Sequence, residues 1–425
     1  MAEGLQSIAL FSQLTIREAR GVNLTDEDGN TYLDFTAGIG VGSIGHCHPH
    51  YVERMVTQMR RVTFGSFCTE NRAEFLRILA SMCPPGLDSI QMFSGGAEAV
   101  EAALRLAKSV TKKTEFAGFW GGFHGKTGGV LGLLGDTSFK KELGPFLPGV
   151  YSLAPYAYCY RCPLKLKYPD CGLACVEHFR EAIKTQTGQQ LAAILVEPMQ
   201  GTAGNVIPPP GFLSAVQDVA REFDALLIAD EMLTGFGRTG KMWGCDHDGV
   251  VPDIMTIGKG IGGGFPLSAI VSSRQNTAAK PFGNPSGCSS SYGGNPLAAT
   301  AGRAALEVIR DEDLVENSRK VGELIKNRLL AFQEKCSIIG EVRGVGMMIG
   351  VELVKDKTTR EPLDRQWTQQ LFYETLSRGL ISMCYSYNIR INPPLVMTES
   401  EAEDAVNRLE EALMTIAGKC RGKRN

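Results

Sequence analysis

Two apolar runs that each end in polar residues decide the fold: Leu226-Leu-Ile-Ala-Asp-Glu-Met232 and Ile254-Met-Thr-Ile-Gly-Lys-Gly-Ile-Gly-Gly-Gly264. The first run ends abruptly in Asp230 and Glu231, a pattern typical of a buried parallel strand that delivers acidic side chains at its carboxyl end. The second run brings Lys259 into a loop rich in glycine. Small residues let the backbone approach a flat ligand closely, and a lone lysine in such a loop can act as a Schiff-base nucleophile. Taken singly, each feature is also compatible with a surface turn.

The composition is that of a globular protein with dispersed charge. The 425 residues are 43% hydrophobic, which is enough for a large core. The formal net charge is −2, so no concentrated basic field is available to hold nucleic acid or an anionic membrane. No run of about 18 apolar residues occurs, and residues 1–6 lack the basic and apolar segments of a signal peptide. We therefore expect a cytoplasmic protein whose twelve cysteines are mostly reduced.

A strand, a turn of small residues and a helix follow one another from residue 90. The apolar residues 90–93 lead into Ser94-Gly-Gly-Ala-Glu98, and residues 97–110 place four apolar side chains on one helical face: Val100, Ala103, Leu104 and Ala107. At such a helix start, free N–H groups and the helix dipole point at the same spot. This segment therefore predicts an anion site.

Two further apolar strands, 115–119 and 191–196, each run into a distinctive segment. The first precedes Trp120-Gly-Gly-Phe-His-Gly125, where the ring of Phe123 could lie flat against a heteroaromatic ring. Core packing of Phe123 is the alternative. The second strand precedes Glu197-Pro-Met-Gln-Gly201.

Several short patterns predict local structure elsewhere. Residues 14–36 alternate apolar and polar side chains around Asp28-Gly29, which indicates a hairpin. Asn295 can cap a helix that begins at Pro296. Residues 344–353 are interpreted as one strand, and Thr398-Glu-Ser-Glu401 as a capping box that opens the last helix.

Six separately spaced motifs between about residues 14 and 413 resemble the class III aminotransferases, the group of ornithine, 4-aminobutyrate and omega-amino acid transaminases. The most specific are D-E-x-x-T-G-F-G-R-T-G from Asp230 and T-I-G-K-G-I-G-G-G-F-P-L-S-A from Thr256. The resemblance implies an α/β chain of the pyridoxal-phosphate fold type I, with a large domain built on a mostly parallel seven-stranded sheet and a small α/β domain from both chain ends. We expect residues 1–44 in the N-terminal part of the small domain, 45–310 in the large domain and 311–425 in the C-terminal small domain.

The same resemblance implies a cofactor, pyridoxal 5′-phosphate, and a set of site residues. Lys259 and Asp230 are the expected catalytic residues, and Arg390, in a segment similar to I-R-x-x-P-P-L, is the expected clamp for a substrate carboxylate. Met232 is expected to face the ring opposite Phe123. The expected cofactor-binding residues are Gly95, Gly96, Ala97, Phe123, His124, Glu197, Gln200, Asp230, Met232, Lys259, Ser290 and Ser291.

The chain departs from the ornithine and 4-aminobutyrate enzymes at three positions. Thr202 stands where those enzymes have a glutamate that pairs with the substrate-binding arginine. Leu233 replaces a glutamine, and Ser291, with Ser290 beside it, replaces the threonine that reaches the phosphate of the neighbouring subunit. The absence of the glutamate weakens an assignment to those two activities, whereas Ser291 is a conservative departure.

Four cysteines lie within 17 positions, at Cys159, Cys162, Cys171 and Cys175. The spacing permits a structural zinc site. Since the family's chemistry needs no metal, four reduced thiols are the favoured interpretation and bound zinc is the alternative.

The resemblance implies an enzyme that moves an amino group from an amine or amino acid to a 2-oxo acid by a ping-pong mechanism. A homodimer with shared active sites is expected, or a tetramer built from such dimers, with no nucleic acid or membrane partner. Racemisation or epimerisation, decarboxylation and phosphate elimination are the alternatives within the same chemistry. A non-catalytic relative is the alternative outside it.

Overall fold

The structure, a computed structural model, describes residues 14–422. Residues 1–13 and 423–425 lie outside the described part, and with them the N-terminal segment that bears on localisation. Among the residues described, none of the helices combines the length and the apolar character needed to cross a bilayer.

Fourteen strands are found in the described chain. They are β1 (Ile16–Arg20), β2 (Asn23–Asp26), β3 (Thr31–Asp34), β4 (Ser89–Phe93), β5 (Glu115–Phe119), β6 (Val150–Ala154), β7 (Leu191–Val196), β8 (Leu226–Asp230), β9 (Ile254–Ile257), β10 (Ser268–Ser272), β11 (Ile339–Val345), β12 (Met348–Leu353), β13 (Leu380–Ile381) and β14 (Asn388–Ile391).

The helices surround these strands. They are the short turn α1 (Ala37–Gly40), α2 (Pro49–Met59), α3 (Glu70–Met82), α4 (Gly96–Thr111), α5 (Ala174–Gln186), α6 (Phe212–Glu222), the short α7 (Arg274–Thr277), α8 (Pro296–Asp311), α9 (Leu314–Gln333), α10 (Arg365–Ser377) and α11 (Glu399–Gly422).

The central sheet has seven strands in the order β4-β10-β9-β8-β7-β5-β6. Only β10 runs against its neighbours, and the remaining pairs are parallel. Every residue of β7 is buried, as are all but the first of β8, because helices such as α4, α5 and α6 cover the two faces. The predicted mostly parallel seven-stranded sheet is confirmed.

A smaller unit combines the two ends of the chain. Its four-stranded sheet has the order β1-β2-β3-β13, and the C-terminal strand β13 pairs in parallel with β3. The hairpin between β2 and β3 forms where predicted, since Asp26 accepts the amides of Asp28 and Asn30 at 3.0 and 2.8 Å. A further sheet has three strands in the order β11-β12-β14, and helix α9 packs against it.

Both predicted helix caps form. The Asn295 side chain accepts the amides of Leu297 and Ala298 at 3.0 Å each. Thr398 and Glu401 accept each other's backbone amides at 3.3 and 2.8 Å. Polar groups at these two helix starts are therefore satisfied locally.

The single strand expected over residues 344–353 is wrong. The chain forms β11 up to Val345, turns at Gly346 and Met347, and returns as β12. Gly346 has a positive φ of 52° and lies so close to the backbone of Thr239 and Gly240 that a Cβ would clash. A reversal was hidden because the apolar run continues through the turn, where Met347 is also buried.

Candidate active site

The carboxyl ends of four parallel strands bring the expected residues to one edge of the central sheet. Strand β8 ends at Asp230, and β7 is followed directly by Glu197. Strand β5 leads to Phe123 and His124, while β9 leads to Lys259. In parallel sheets this edge is where ligand sites form.

Asp230 is the buried acid at the centre of this edge, with 2% of its surface exposed. Its Oδ2 lies 2.7 Å from Nδ1 of His124, and its Oδ1 accepts the Thr256 hydroxyl at 3.0 Å and the Met232 amide at 3.2 Å. Burial disfavours protonation of His124, but the hydrogen bond and charge of Asp230 outweigh it and raise the pKa of the imidazole. His124 is therefore a charge-assisted hydrogen-bond partner of Asp230.

Lys259 begins a short 3-10 turn (Lys259–Gly262), directly after β9, with a positive φ of 46°. Burial lowers the pKa of its amine. The charges of Asp230 and Glu197 oppose this effect, and those of Arg390 and Arg238 reinforce it. A larger share of neutral amine makes Lys259 a better nucleophile near neutral pH.

Glu197 ties two backbone segments together at this edge. Its carboxylate accepts the amide of Phe123 at 2.9 Å and that of Gly201 at 3.0 Å. Burial raises the pKa of this carboxyl, and the opposing charge of the neighbouring His124 offsets only part of the rise. Gln200 acts similarly on the backbone, since its side-chain amide donates to the Trp120 carbonyl at 2.8 Å.

The N-terminus of α4 presents free backbone donors. Gly95 caps this helix in an extended conformation without a side-chain hydrogen bond. Within residues 14–422, nothing accepts the N–H groups of Gly96 and Ala97. A Cβ at Gly96 would lie 3.2 Å from the Met232 sulfur, and one at Gly258 only 2.5 Å from it. The free N–H groups of Gly96 and Ala97, the Met232 side chain and the loop that carries Lys259 therefore lie close together.

The ring of Phe123 is held by its own neighbours. It packs edge-to-face on Phe139 at 5.2 Å between centroids, and the Lys126 amine lies 5.7 Å from its centre. Phe123 is partly exposed, whereas His124 beside it is buried. Its ring is thus oriented without being enclosed in the core.

The remaining expected residues lie at different distances from this centre. Arg390 is on β14, close enough to Lys259 to affect its pKa, and no carboxylate in the described part of the chain forms an ion pair with it. Ser291 lies on an exposed turn, and the hydroxyl of Ser290 accepts the Gly293 amide at 3.3 Å. Neither serine belongs to the hydrogen-bonded set around Asp230.

The four cysteines of the 159–175 loop are free thiols that line one cavity of about 20 Å³. Burial raises the pKa of Cys175 to about 11 and also raises that of Cys159. Across the described ranges, no group of three or more His, Cys, Asp or Glu side chains is placed to hold a metal ion.

Thr256 and Ser268 were missed by the sequence analysis. Thr256 donates to Asp230, and the Ser268 hydroxyl donates to the Gly95 carbonyl at 2.8 Å. The available signal was a hydroxyl inside a buried apolar strand, because such a group needs a partner there.

We expect Lys259 in the ligand-free protein to be acylated at lower pH than the exposed lysines, because burial lowers the pKa of its amine. Competitive labelling with acetic anhydride over a pH series, followed by peptide mass spectrometry, measures this. Asp230→Asn should move the Lys259 midpoint lower still, since Asp230 raises this pKa. A Lys259 midpoint equal to that of the exposed lysines would contradict the expectation.

Known proteins are similar to this one in sequence and in fold along nearly the whole chain. A family model described as aminotransferase class-III matches residues 8–413. Acetylornithine aminotransferase of Methanopyrus kandleri is 36% identical over 402 residues, covering 94% of each chain. Leucine/methionine racemase of Thermococcus litoralis is 31% identical over 411 residues, covering 96% of this chain and 92% of that one.

A solved structure agrees with these relatives. The amine transaminase from an uncultivated Pseudomonas species, in its PLP-bound form, superposes with a TM-score of 0.89 at 30% identity and covers 97% of both chains. The sequence match and the shared fold both extend beyond the site itself to the small domain. The chain belongs to the class III aminotransferase family.

Proposed function

We propose that this aminotransferase uses pyridoxal 5′-phosphate to move an amino group from an amine or amino acid, omega-amino acids included, to a 2-oxo acid in two successive half-reactions. The observation that carries the proposal is Lys259, an amine whose pKa is lowered by burial, beside Asp230 at one edge of the sheet. Lysine can then take a proton from the substrate while the acid stabilises positive charge on a bound ring.

The residues around Lys259 fit the cofactor at its charged ends. The free N–H groups of Gly96 and Ala97 at a helix start suit a phosphate. Asp230, which is held in place by hydrogen bonds with His124 and Thr256, suits a protonated pyridine nitrogen.

The flat part of the cofactor fits between two side chains. The ring of Phe123 packs edge-to-face on Phe139, as described above. Met232 lies against Gly96 and Gly258, so a Cβ on either glycine would crowd its sulfur. An aromatic ring and a polarisable thioether both pack favourably on a heteroaromatic ring. We propose Phe123 and Met232 for the two faces, with Glu197 and Gln200 fixing the backbone around them.

In the mechanism, the bound cofactor supplies an electron-withdrawing ring that stabilises negative charge on the carbon next to the transferred nitrogen. Lys259 Nζ takes the proton from the substrate carbon and holds it for the next step. Glu197 keeps the Phe123 loop in place through its two amide contacts. Arg390 orients the substrate by binding the substrate's carboxylate.

The substrate preference that we propose follows from Arg390 and Thr202. The guanidinium of Arg390 forms no ion pair within the described chain, although Glu197 is close enough to affect its pKa, and it is therefore available for the acid group of a substrate. Thr202 cannot replace the missing glutamate as a partner, since it is uncharged. We therefore propose that 2-oxo acids, and donors that carry a carboxylate, are the preferred substrates.

A panel of amines and amino acids, each with and without a 2-oxo acid, tests this function. Transamination requires that both a carbonyl product and a new amino acid form only when the oxo acid is present. Racemisation is the second candidate, because the relative from Thermococcus litoralis is similar along 96% of this chain. Loss of optical purity in the donor without any oxo acid would favour that second function.

We also propose that the protein is a cytoplasmic homodimer. Exposed apolar side chains form a stripe on α2 and continue into the next loop, with Tyr292 beside Ser291 exposed as well. Phe64 and Tyr292 are 79% and 73% exposed, which is unusual for large apolar side chains on a monomer. The exposed residues on α2 and the following loop are Val52, Val56, Met59, Phe64 and Phe67.

Shared active sites make a testable prediction, because Ser291 would then act in the partner's site. Lys259→Ala and Ser291→Glu should each be nearly inactive, the second because a carboxylate repels a phosphate. Equal mixing after dissociation should restore about a quarter of wild-type activity, since half of the dimers carry one complete site. Ser291→Ala and Ser290→Ala serve as milder controls. A fully active monomer, or hybrids no better than their parents, would contradict shared sites.

A further inference from the structure

Glu352 on β12 has a fully buried carboxyl group with three partners, two of them from a distant part of the chain. It accepts hydrogen bonds from the Tyr158 hydroxyl and from Nε of Arg161, both in the loop that carries the four cysteines. Its third partner is Arg343 on β11, whose Nη1 lies 3.2 Å away. Burial raises the pKa of Glu352 to about 8, whereas the adjacent guanidinium groups of Arg161 and Arg343 favour its ionised form. A buried carboxyl group with this many donors is held in one position.

Arg343 connects this carboxylate to the turn that follows Glu197. Its Nη2 donates to the Gly204 carbonyl at 2.8 Å, and its Nε donates to the Asn205 carbonyl at 3.1 Å. Its ring partner is Tyr158, 4.8 Å from the guanidinium. The turn at residues 201–205 contains Thr202, so Arg343 fixes the segment where related enzymes have their glutamate.

The same guanidinium reaches the strand that carries Arg390. Nη2 of Arg343 also donates to Oδ1 of Asn388 at 2.9 Å. Asn388 and Arg390 are two residues apart on β14, so their side chains share one face of the sheet. Arg343 therefore contacts the strand that carries Arg390, two residues before it.

The strand register places the turn between the two arginines. Arg343 pairs with Gly350, and Gly350 pairs with Arg390, so the three residues form a row across the sheet. Gly350 has no side chain, and a Cβ there would lie only 2.5 Å from the Gly204 carbonyl oxygen. The backbone of the 201–205 turn thus rests on Gly350, between Arg343 and Arg390.

We propose that Glu352 and Arg343 are positioning residues that fix Arg390 against the 201–205 turn and so set the affinity of the site for the carboxylate of a 2-oxo acid. This inference rests on the proposed function, in which Arg390 binds that carboxylate. Tyr158 and Arg161 donate hydrogen bonds to Glu352 and so help to hold it. Through these two side chains, the loop that carries the four cysteines contributes to the position of Arg390.

Replacing Glu352 by glutamine should loosen this arrangement without removing a substrate contact. Glu341, a partly exposed carboxylate 2.5 Å from Nη1 of Arg343, is then the one carboxylate that still forms an ion pair with Arg343 in the described chain. A misplacement of Arg390 of about 1 Å is expected to raise KM for the oxo acid roughly 10- to 100-fold. The rate at saturating oxo acid should change only a few-fold, because Lys259 and Asp230 are untouched.

The experiment compares Glu352→Gln, Arg343→Lys and Asn388→Ser in the holoenzyme. Asn388→Ser removes the contact to Arg343 and leaves the buried ion pair with Glu352, so it remains informative if the other variants fold poorly. Glu341→Gln is the matched control, since it removes the exposed partner of the same guanidinium. KM and kcat for the oxo acid are measured together with the binding of butyrate, an unreactive carboxylate, and with the unfolding temperature.

Arg390→Lys is the reference that separates the inference from the proposed function. The inference predicts weaker butyrate binding and higher KM in Glu352→Gln and Asn388→Ser, no change in Glu341→Gln, and no further loss when Glu352→Gln is added to Arg390→Lys. If Arg390→Lys weakens butyrate binding but the folded positioning variants do not, the inference is overturned and the proposed function stands. If Arg390→Lys binds butyrate normally, the role of Arg390 fails and the inference fails with it.

Discussion

Lys259→Ala is expected to lower turnover by about 10⁴-fold or more while leaving the fold intact. The variant removes the amine that we assign to proton transfer and covalent attachment, and general acid–base catalysis alone is worth about 10²–10⁴. The fold should survive because burial and nearby charges, and no hydrogen bond within the described chain, act on the Lys259 amine. Turnover at saturating substrates and the unfolding temperature are the two measurements.

Lys141→Ala is a suitable control, since the Lys141 side chain is exposed and pairs with the equally exposed Glu142. Borohydride reduction of the holoenzyme followed by peptide mapping should place the cofactor on Lys259. Attachment to another lysine, or turnover in Lys259→Ala near that of Lys141→Ala, would show that the catalytic lysine lies elsewhere.

Arg390→Ala is expected to weaken the affinity for the 2-oxo acid by about 30-fold or more. Truncating one partner of a buried charge pair costs about 2–5 kcal/mol, which corresponds to at least this factor. Burial lowers the pKa of Arg390, so its environment already disfavours an unpaired charge. Stopped-flow measurement of each half-reaction separates the oxo acid from the amino donor.

Two comparisons sharpen this prediction. Arg390→Lys keeps the charge but loses the planar fork, so it should lie between wild type and alanine. Donors without a carboxylate should be affected less than the oxo acid, because they have no group for Arg390 to bind. Equal oxo-acid affinity in wild type and Arg390→Ala would mean that another group holds the carboxylate.

The centre of the site was predictable because its signals are local. Asp230 and Lys259 each follow a short apolar strand, and in a parallel sheet the ends of such strands meet. The helix start at Gly96 was equally visible, as an apolar strand followed by small residues. Local pattern was therefore sufficient to single out Asp230 and Lys259, which we assign to catalysis, whereas the fold was expected from the resemblance to the class III aminotransferases.

The surroundings of Arg390 could not be predicted in the same way. Glu352 meets Tyr158 and Arg161, which are 194 and 191 residues away in the chain. Such contacts depend on how β11, β12 and β14 pair, and the turn between the first two was itself missed. We interpreted the 159–175 loop from its cysteines. The contacts between this part of the chain and the β11-β12-β14 sheet, however, are made by Tyr158 and Arg161.

If the protein transfers nitrogen between two substrates, an isotope label in the donor must reach the product of the acceptor. The holoenzyme is incubated with a ¹⁵N-labelled amino donor and an unlabelled 2-oxo acid, and the amino acid made from the oxo acid is analysed by mass spectrometry. We expect ¹⁵N in that amino acid in the same amount as carbonyl product forms from the donor, and we expect Lys259→Ala to abolish both. Donor that is racemised, decarboxylated or cleaved while no label reaches the oxo acid would contradict it.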